Sequence, residues 1–278
     1  MPTFTAPDGT TLAYHVSGEG PPLVCLPGGP MQDSVYLGDL GGLTAHRTLI
    51  RLDLRGTGRS EHPDDPATYR CDRQVADVEA LRQELGLDRV QILAHSAGAN
   101  LAALYVTRHP ERVEGLTLIT PSVFAVGIEI TAEDRLATAR LRRDEPWFAP
   151  AYASLEAVTE GRGDAAAWEA VAPFWYGHWG DTARTARAVE ARQRNAEAAG
   201  VYASEGAFDP AATRSALAEL TSPVVVLAGE YDVAGPPRGM AEYAHLFPSA
   251  ELVVQAGAGH FPWLDDATAF VATAAALR

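Results

Sequence analysis

The stretch from Arg89 to Arg108 constrains this chain more than any other. Val90, Ile92 and Leu93 form a short apolar run, Ala94-His95-Ser96-Ala97-Gly98 follows at once, and an alanine- and leucine-rich segment continues to Arg108. This order reads as a buried strand that turns directly into a helix. Small residues two places either side of Ser96 suit such a corner, because bulky ones would strike the neighbouring turn. The serine is expected in a strained backbone conformation, with its hydroxyl pushed out of the end of a sheet. The helix that begins beside it offers unpaired N–H groups and the positive end of a dipole, both favourable to negative charge. A serine so placed suits attack on a carbonyl, but a five-residue pattern also arises by chance and needs its context.

That context is an alternation of strands and helices. Thr3 to Thr5 and Thr11 to Val16 flank Asp8-Gly9 as a β-hairpin. Pro22 to Leu26 reads as a buried strand running into Pro27-Gly28-Gly29-Pro30, where bare glycine backbone can present N–H groups to a ligand. The N–H of Gly29 could therefore pair with that of Ala97 as an oxyanion hole, the alternative being a plain turn. Thr48 to Asp53 is the next strand. The loop after it, Leu54 to Ser60, lacks the Gly-Lys-Ser/Thr of a nucleotide site and is expected to fix a turn through Asp53 and Arg55. A helix is predicted over Asp72–Leu87 and a strand over Gly115–Thr120.

From about Ser122 to Leu220 no strand pattern appears. Alanine- and arginine-rich helical stretches broken by proline and glycine take its place, with Trp147, Trp168, Trp175 and Trp179 among them. The alternation resumes with strands at Pro223–Ala228 and Glu251–Val254, a helix from about Pro237 to Leu246 between them, and a closing helix over Asp265–Leu277. The expected architecture is α/β: a mostly parallel sheet with helices on both faces. Residues 1–121 and 221–278 form the core, and a helical cap over 122–220 lies above the carboxyl edge where ligands sit in open sheets.

A serine hydroxyl needs a base, and the base needs an acid to orient it. The strand at Val224 ends in Gly229-Glu230-Tyr231-Asp232, and the strand at Leu252 leads through a glycine-rich loop to His260. Both are strand-end loops, and the order Ser96, Asp232, His260 is that of nucleophile-elbow hydrolases. Asp232 could instead cap the following helix, with Glu230 as the reserve acid. His95 is expected to pack or hydrogen-bond. Trp147, Trp175, Trp179 and His178 are candidates to line an apolar pocket, although aromatic residues in helices also serve as core.

The motifs Pro27-Gly28-Gly29-Pro30, Asp53-Leu54-Arg55-Gly56-Thr57-Gly58-Arg59-Ser60, Ala94-His95-Ser96-Ala97-Gly98, Gly229-Glu230-Tyr231-Asp232 and Gly259-His260 together resemble the α/β-hydrolase superfamily, and within it the proline iminopeptidase subgroup. The resemblance implies a Ser96, Asp232, His260 triad with Gly29 and Ala97 as oxyanion donors. Pro27 stands where the subgroup's turn opens with histidine, and Ala97 where its elbow carries tryptophan. The subgroup holds a free amino terminus with cap carboxylates, for which Glu129, Glu160 and Glu169 are available. The expected activity is cofactor-independent cleavage of an ester, lactone or amide in a small molecule or short peptide. An aminopeptidase and a non-catalytic ligand-binding protein stand as alternatives.

Composition narrows the partners. Net charge is −14 and all 22 basic residues are arginine, which argues against nucleic acid or an anionic membrane as a partner. The amino terminus lacks the pattern of a secretory signal, and no apolar run approaches the roughly 18 residues of a membrane span. Two isolated cysteines, Cys25 and Cys71, make neither a disulfide framework nor a metal site. A cytoplasmic protein without metal or cofactor is expected, and nothing in the sequence sets an oligomeric state.

Overall fold

The structure, a computed structural model, describes residues 1–276. One eight-stranded sheet is built from β1 (Thr3–Thr5), β2 (Thr11–Ser17), β3 (Pro22–Leu26), β4 (Thr48–Leu52), β5 (Val90–His95), β6 (Val113–Ile119), β7 (Val224–Gly229) and β8 (Ala250–Gln255). The spatial order is β1-β2-β4-β3-β5-β6-β7-β8. The hairpin β1–β2 and the pair β2–β4 are antiparallel, and the remaining neighbours are all parallel. The chain leaves β3 for β4 on one side and returns to β5 on the other. The loops after β3 and β5 therefore diverge, and a crevice opens at the carboxyl edge between them.

The central strands β3, β5, β6 and β7 are almost wholly buried because both faces are covered. Leu23, Cys25, Leu49, Leu93, Ile119 and Leu227 point to one side, where Leu37, Leu40, Trp263 and Phe270 pack on them. Their neighbours Val24, Leu26, Ile50, Ile92, Ala94, Leu118 and Val226 point to the other, against α1 (Val75–Glu84), α2 (Gly98–Arg108) and the helix that follows β7. Both cysteines are free and buried, and burial pushes the Cys25 thiol up to about 12.

Between β6 and β7 the described residues contain no strand, only an isolated bridge from Gln32 to Arg194. That stretch holds α3 (Ala132–Ala139), α4 (Phe148–Thr159), α5 (Ala165–Ala170), α6 (Asp181–Gln193), α7 (Ala196–Tyr202) and α8 (Pro210–Ala218). It has an apolar centre of its own in Ala139, Ala151, Leu155, Val171 and Phe174, which also takes in Val233 from the loop after β7. α9 (Pro237–Ala244) connects β7 to β8. The chain then enters α10 (Pro262–Asp265) and α11 (Ala267–Ala274), where a single closing helix was expected. The break lies at Asp266, whose carboxylate accepts the Ala269 N–H at 3.0 Å and starts the helix afresh. Leu277, the expected last helical residue, lies outside the described residues. The first long helix is also shorter than predicted, because residues 72–74 form a turn and only Val75–Glu84 is helical.

Candidate active site

The corner between β5 and α2 has the geometry its small residues require. Ser96 sits at φ +51°, a left-handed conformation that costs a non-glycine residue roughly 1–2 kcal/mol. It persists because the surroundings determine it. The Ser96 N–H donates to Ile119 O at 3.0 Å, and its carbonyl accepts from Ala99 and Ser122, both at 3.0 Å. A methyl group at Gly98 would lie 2.5 Å from Leu26 O and 2.7 Å from Pro27 O, so the absence of a side chain there lets α2 sit directly on the end of β3. From the helical insertion, the Tyr202 hydroxyl donates to Ala97 O at 2.9 Å.

Three distant residues meet at this corner. The Ser96 Oγ lies 2.9 Å from His260 Nε2, and His260 Nδ1 lies 2.8 Å from Asp232 Oδ2. Asp232 is fully buried and His260 nearly so. The second Asp232 oxygen accepts the Ala234 N–H at 2.8 Å, while the helix after it begins at Pro237 with Pro236 at its N-cap and no side-chain cap, so Asp232 does not serve as that cap. Glu230 turns elsewhere and accepts the Gly257 N–H at 2.7 Å, steadying the glycine loop before His260. Asp265 does the same at Gly259, 2.8 Å away. The His260 N–H donates to Trp175 O at 2.7 Å. With Asp232 accepting at Nδ1, the imidazole presents Nε2 as the acceptor for the serine proton.

The turn after β3 faces the serine. Gly29 adopts φ +112°, which a side chain rarely tolerates. The Gly28 N–H is taken by the Tyr36 hydroxyl at 2.7 Å. Among the described residues the N–H groups of Gly29 and Ala97 have no such partner, and both residues line the cavity above Ser96. The arrangement suits an anionic oxygen more than a plain turn. In the neighbouring loop, buried Asp53 accepts from the Ser34 hydroxyl at 2.6 Å and Arg59 N at 3.0 Å, and Arg55 pairs with Asp77 and Asp8, which fixes the turn as expected.

The cavity holds about 1040 Å³ and opens over Ser96 and His260. Val123, Phe124, Ile128, Leu155, Val158 and Val171 give it apolar walls, and five charged residues, Glu129, Arg135, Arg187, Glu190 and Arg194, also reach it. Of the four insertion residues singled out in the sequence, only Trp175 lines it, with its ring 5.8 Å from that of His260. Trp147 is packed edge-on against Phe174 under the Arg142 guanidinium. Trp179 lies between Tyr176 and Arg184. His178 is exposed and is held by its backbone N–H on Asp265. Trp168 lines the cavity in their place, and of the charged lining only Glu129 was among the candidates, while Arg135, Arg187, Glu190 and Arg194 were not. Which face of an insertion helix turns inward depends on what the helix packs against, and only the close spacing of Arg187 and Glu190 on α6, paired at 2.7 Å, hinted at a shared face. Of the acidic candidates Glu129 reaches the cavity, Glu169 touches it through Arg187, and Glu160 pairs with Arg162 outside it.

Among the described residues no group of three His, Cys, Asp or Glu side chains could hold a metal ion. No helix among them is long and apolar enough to cross a membrane.

A family model described as alpha/beta hydrolase fold matches residues 21–267. The proline iminopeptidase of Heyndrickxia coagulans is 37% identical over 112 residues, which is 40% of this chain and 39% of that protein. The chain thus spans about two fifths of the length of the curated relatives it matches. Among solved structures, the proline iminopeptidase of Mycobacterium smegmatis has a TM-score of 0.74 at 24% identity, covering 99% of this chain and 96% of that one. The enol-lactonase of Burkholderia xenovorans LB400 has a TM-score of 0.67 at 25% identity, with 98% of both chains covered.

Proposed function

The chain belongs to the alpha/beta hydrolase fold family, and from that premise we propose that it is a serine hydrolase cleaving an ester, lactone or amide bond of a small substrate. The observation that carries this reading is the continuous hydrogen-bonded line from Ser96 Oγ through His260 to buried Asp232, at the floor of a large cavity. His260 Nε2 takes the hydroxyl proton as Oγ bonds to the substrate carbonyl carbon. The carbonyl electron pair moves onto oxygen, which the N–H groups of Gly29 and Ala97 receive. The tetrahedral centre collapses, the C–O or C–N bond breaks, and the leaving group departs with the proton from His260. Water, deprotonated by the same imidazole, then releases the acyl group and restores Ser96. Asp232 orients the imidazole and stabilises the imidazolium that forms between steps. The helical stretch 122–220 acts as a cap, covering the acyl-enzyme and supplying most of the substrate's walls.

The test is a panel of p-nitrophenyl esters, lactones and aminoacyl arylamides run on the wild type and S96A, with fluorophosphonate labelling in parallel. Turnover and labelling should vanish together in S96A. Unlabelled wild-type protein without turnover would overturn the enzyme reading and favour a ligand-binding protein. One observation favours a second, narrower reading. Glu129 lines the cavity with no ion pair among the described residues, and a carboxylate there could receive the free amine of an N-terminal residue, in keeping with the iminopeptidase relatives. On that reading an arylamide with a free amine is cleaved much faster than its acylated counterpart, and E129Q removes the preference. Equal rates on both substrates would exclude it.

A further inference from the structure

His260 is reached from two sides, and only one belongs to the mechanism above. Its ring meets Ser96 and Asp232, while its backbone carbonyl accepts two further hydrogen bonds, from His95 Nε2 at 2.9 Å and from Thr120 Oγ1 at 2.9 Å. A carbonyl oxygen only accepts, so His95 must carry its proton on Nε2. Its Nδ1 is then a bare acceptor, and the Tyr36 hydroxyl donates to it at 2.7 Å. The Tyr36 oxygen is left to accept the Gly28 N–H, also at 2.7 Å. Every proton in this line has one consistent place. The line runs from the turn that carries Gly29, through partly buried Tyr36 and buried His95, to the main chain of His260.

Thr120 adds an independent sign. It is a fully buried β-branched residue at φ +41°, a conformation such residues rarely adopt, with its N–H on Leu227 O at 2.7 Å. Strain of this kind persists where the surroundings demand a particular placement. Here the placement brings the hydroxyl onto the His260 carbonyl.

We propose that Tyr36, His95 and Thr120 are positioning residues that hold the main chain of His260 and the Gly28-Gly29 turn in fixed register across the site. The proposal rests on the hydrolase reading for its effect on rate, but the hydrogen-bond line exists independently of any substrate. A neutral His95 is required throughout. The rings around it are those of Tyr36, His260, Phe261 and Trp263, of which only Tyr36 and His260 titrate. Burial, joined by the neighbouring His260, holds its pKa well below the usual histidine value.

The test separates positioning from packing by paired substitutions. T120V keeps the shape of the side chain and loses the hydroxyl, whereas T120S keeps the hydroxyl and loses a methyl group. Positioning predicts that T120V and Y36F lower kcat on p-nitrophenyl acetate by about tenfold to a hundredfold, as ångström-scale misplacement does. KM should stay within about twofold, because the loss falls on the transition state. T120S should recover most of what T120V loses, and H95F, which fills the space without bridging it, should be as slow as Y36F. T120V and Y36F at wild-type kcat, or T120S as slow as T120V, would overturn the proposal. Long-range 1H–15N spectra of the wild type, with His95 assigned from its loss in H95F, give a second readout that needs no activity. His95 should stay neutral with its proton on Nε2 from about pH 5 to about pH 8, where an ordinary histidine titrates. A titrating His95, or one protonated on Nδ1, would also overturn the proposal. Wild-type protein that resists fluorophosphonate while showing this tautomer would defeat the hydrolase reading and leave the line itself standing.

Discussion

Ser96 carries two separable burdens, the nucleophile's role proposed for it and a strained backbone. Because φ is +51°, replacement by glycine should behave unusually. At most positions glycine costs about 0.5–1 kcal/mol relative to alanine, but here the relief of left-handed strain offsets that cost. S96G should therefore melt at or above the temperature of S96A, with neither hydrolysing an ester, and calorimetry of the pair would check it. At Asp232 the relevant property is orientation. In D232N the amide would still fill the buried site, but its NH2 group would favour the wrong tautomer of His260, whose Nδ1 lies 2.8 Å away. Ester turnover should fall by about 10³–10⁴-fold with little change in KM, measured by steady-state kinetics.

Helices α1 and α2 are joined by one carboxylate. Glu79 accepts two N–H bonds from Arg82, at 2.6 and 2.9 Å, one from Gln83 at 2.9 Å, and the Tyr105 hydroxyl of α2 at 2.8 Å. The Arg82 bonds, aided by Tyr105 and Gln83, hold its pKa down to about 2, against an ordinary 4.5. A carboxylate whose pKa is lowered by folding stabilises the fold above its unfolded value, and that contribution drains away as pH falls through the folded one. The stability curve of the wild type should therefore decline between about pH 4.5 and about pH 2. E79Q should be less stable near neutrality, by on the order of 1–2 kcal/mol, and should show a shallower acid decline in denaturant titrations. Gly98 sets the seat of α2 on β3. In G98A the new methyl group would press on the Leu26 and Pro27 carbonyls, which are backbone atoms with little freedom to yield, so a loss of about 1–3 kcal/mol is expected in the same titrations.

Across the whole molecule, the helical insertion is tied to the loop that carries His260. The Asp265 carboxylate accepts from Gly177 N at 2.9 Å and His178 N at 3.1 Å in the insertion, and from Gly259 N at 2.8 Å in the loop. D265A would leave three N–H groups without their acceptor. Hydrogen exchange at residues 177, 178 and 259 should quicken while β5 stays protected, and ester turnover should fall as His260 loosens. Unchanged exchange would show that the insertion is held in place without Asp265. How much of this molecule its sequence discloses follows from the range of the forces involved. The two-faced apolar strands, the corner at Ser96 and the strand ends at Asp232 and His260 are legible because pleat periodicity, small residues at a tight turn and glycine-rich loops act over a few neighbours. Trp147, Trp179 and His178 were misplaced for the opposite reason, since the inward face of an insertion helix is decided by packing against Phe174, Tyr176 and Asp265. The charged lining from Arg187 and Glu190, and the line from Gly28 to His260, join residues far apart in the chain. The sequence alone thus determined the sheet and the residues at its carboxyl edge, through local sterics and periodicity. Only the tertiary structure decided which side chains enclose the cavity, because burial and hydrogen-bond partnership are properties of the assembled chain.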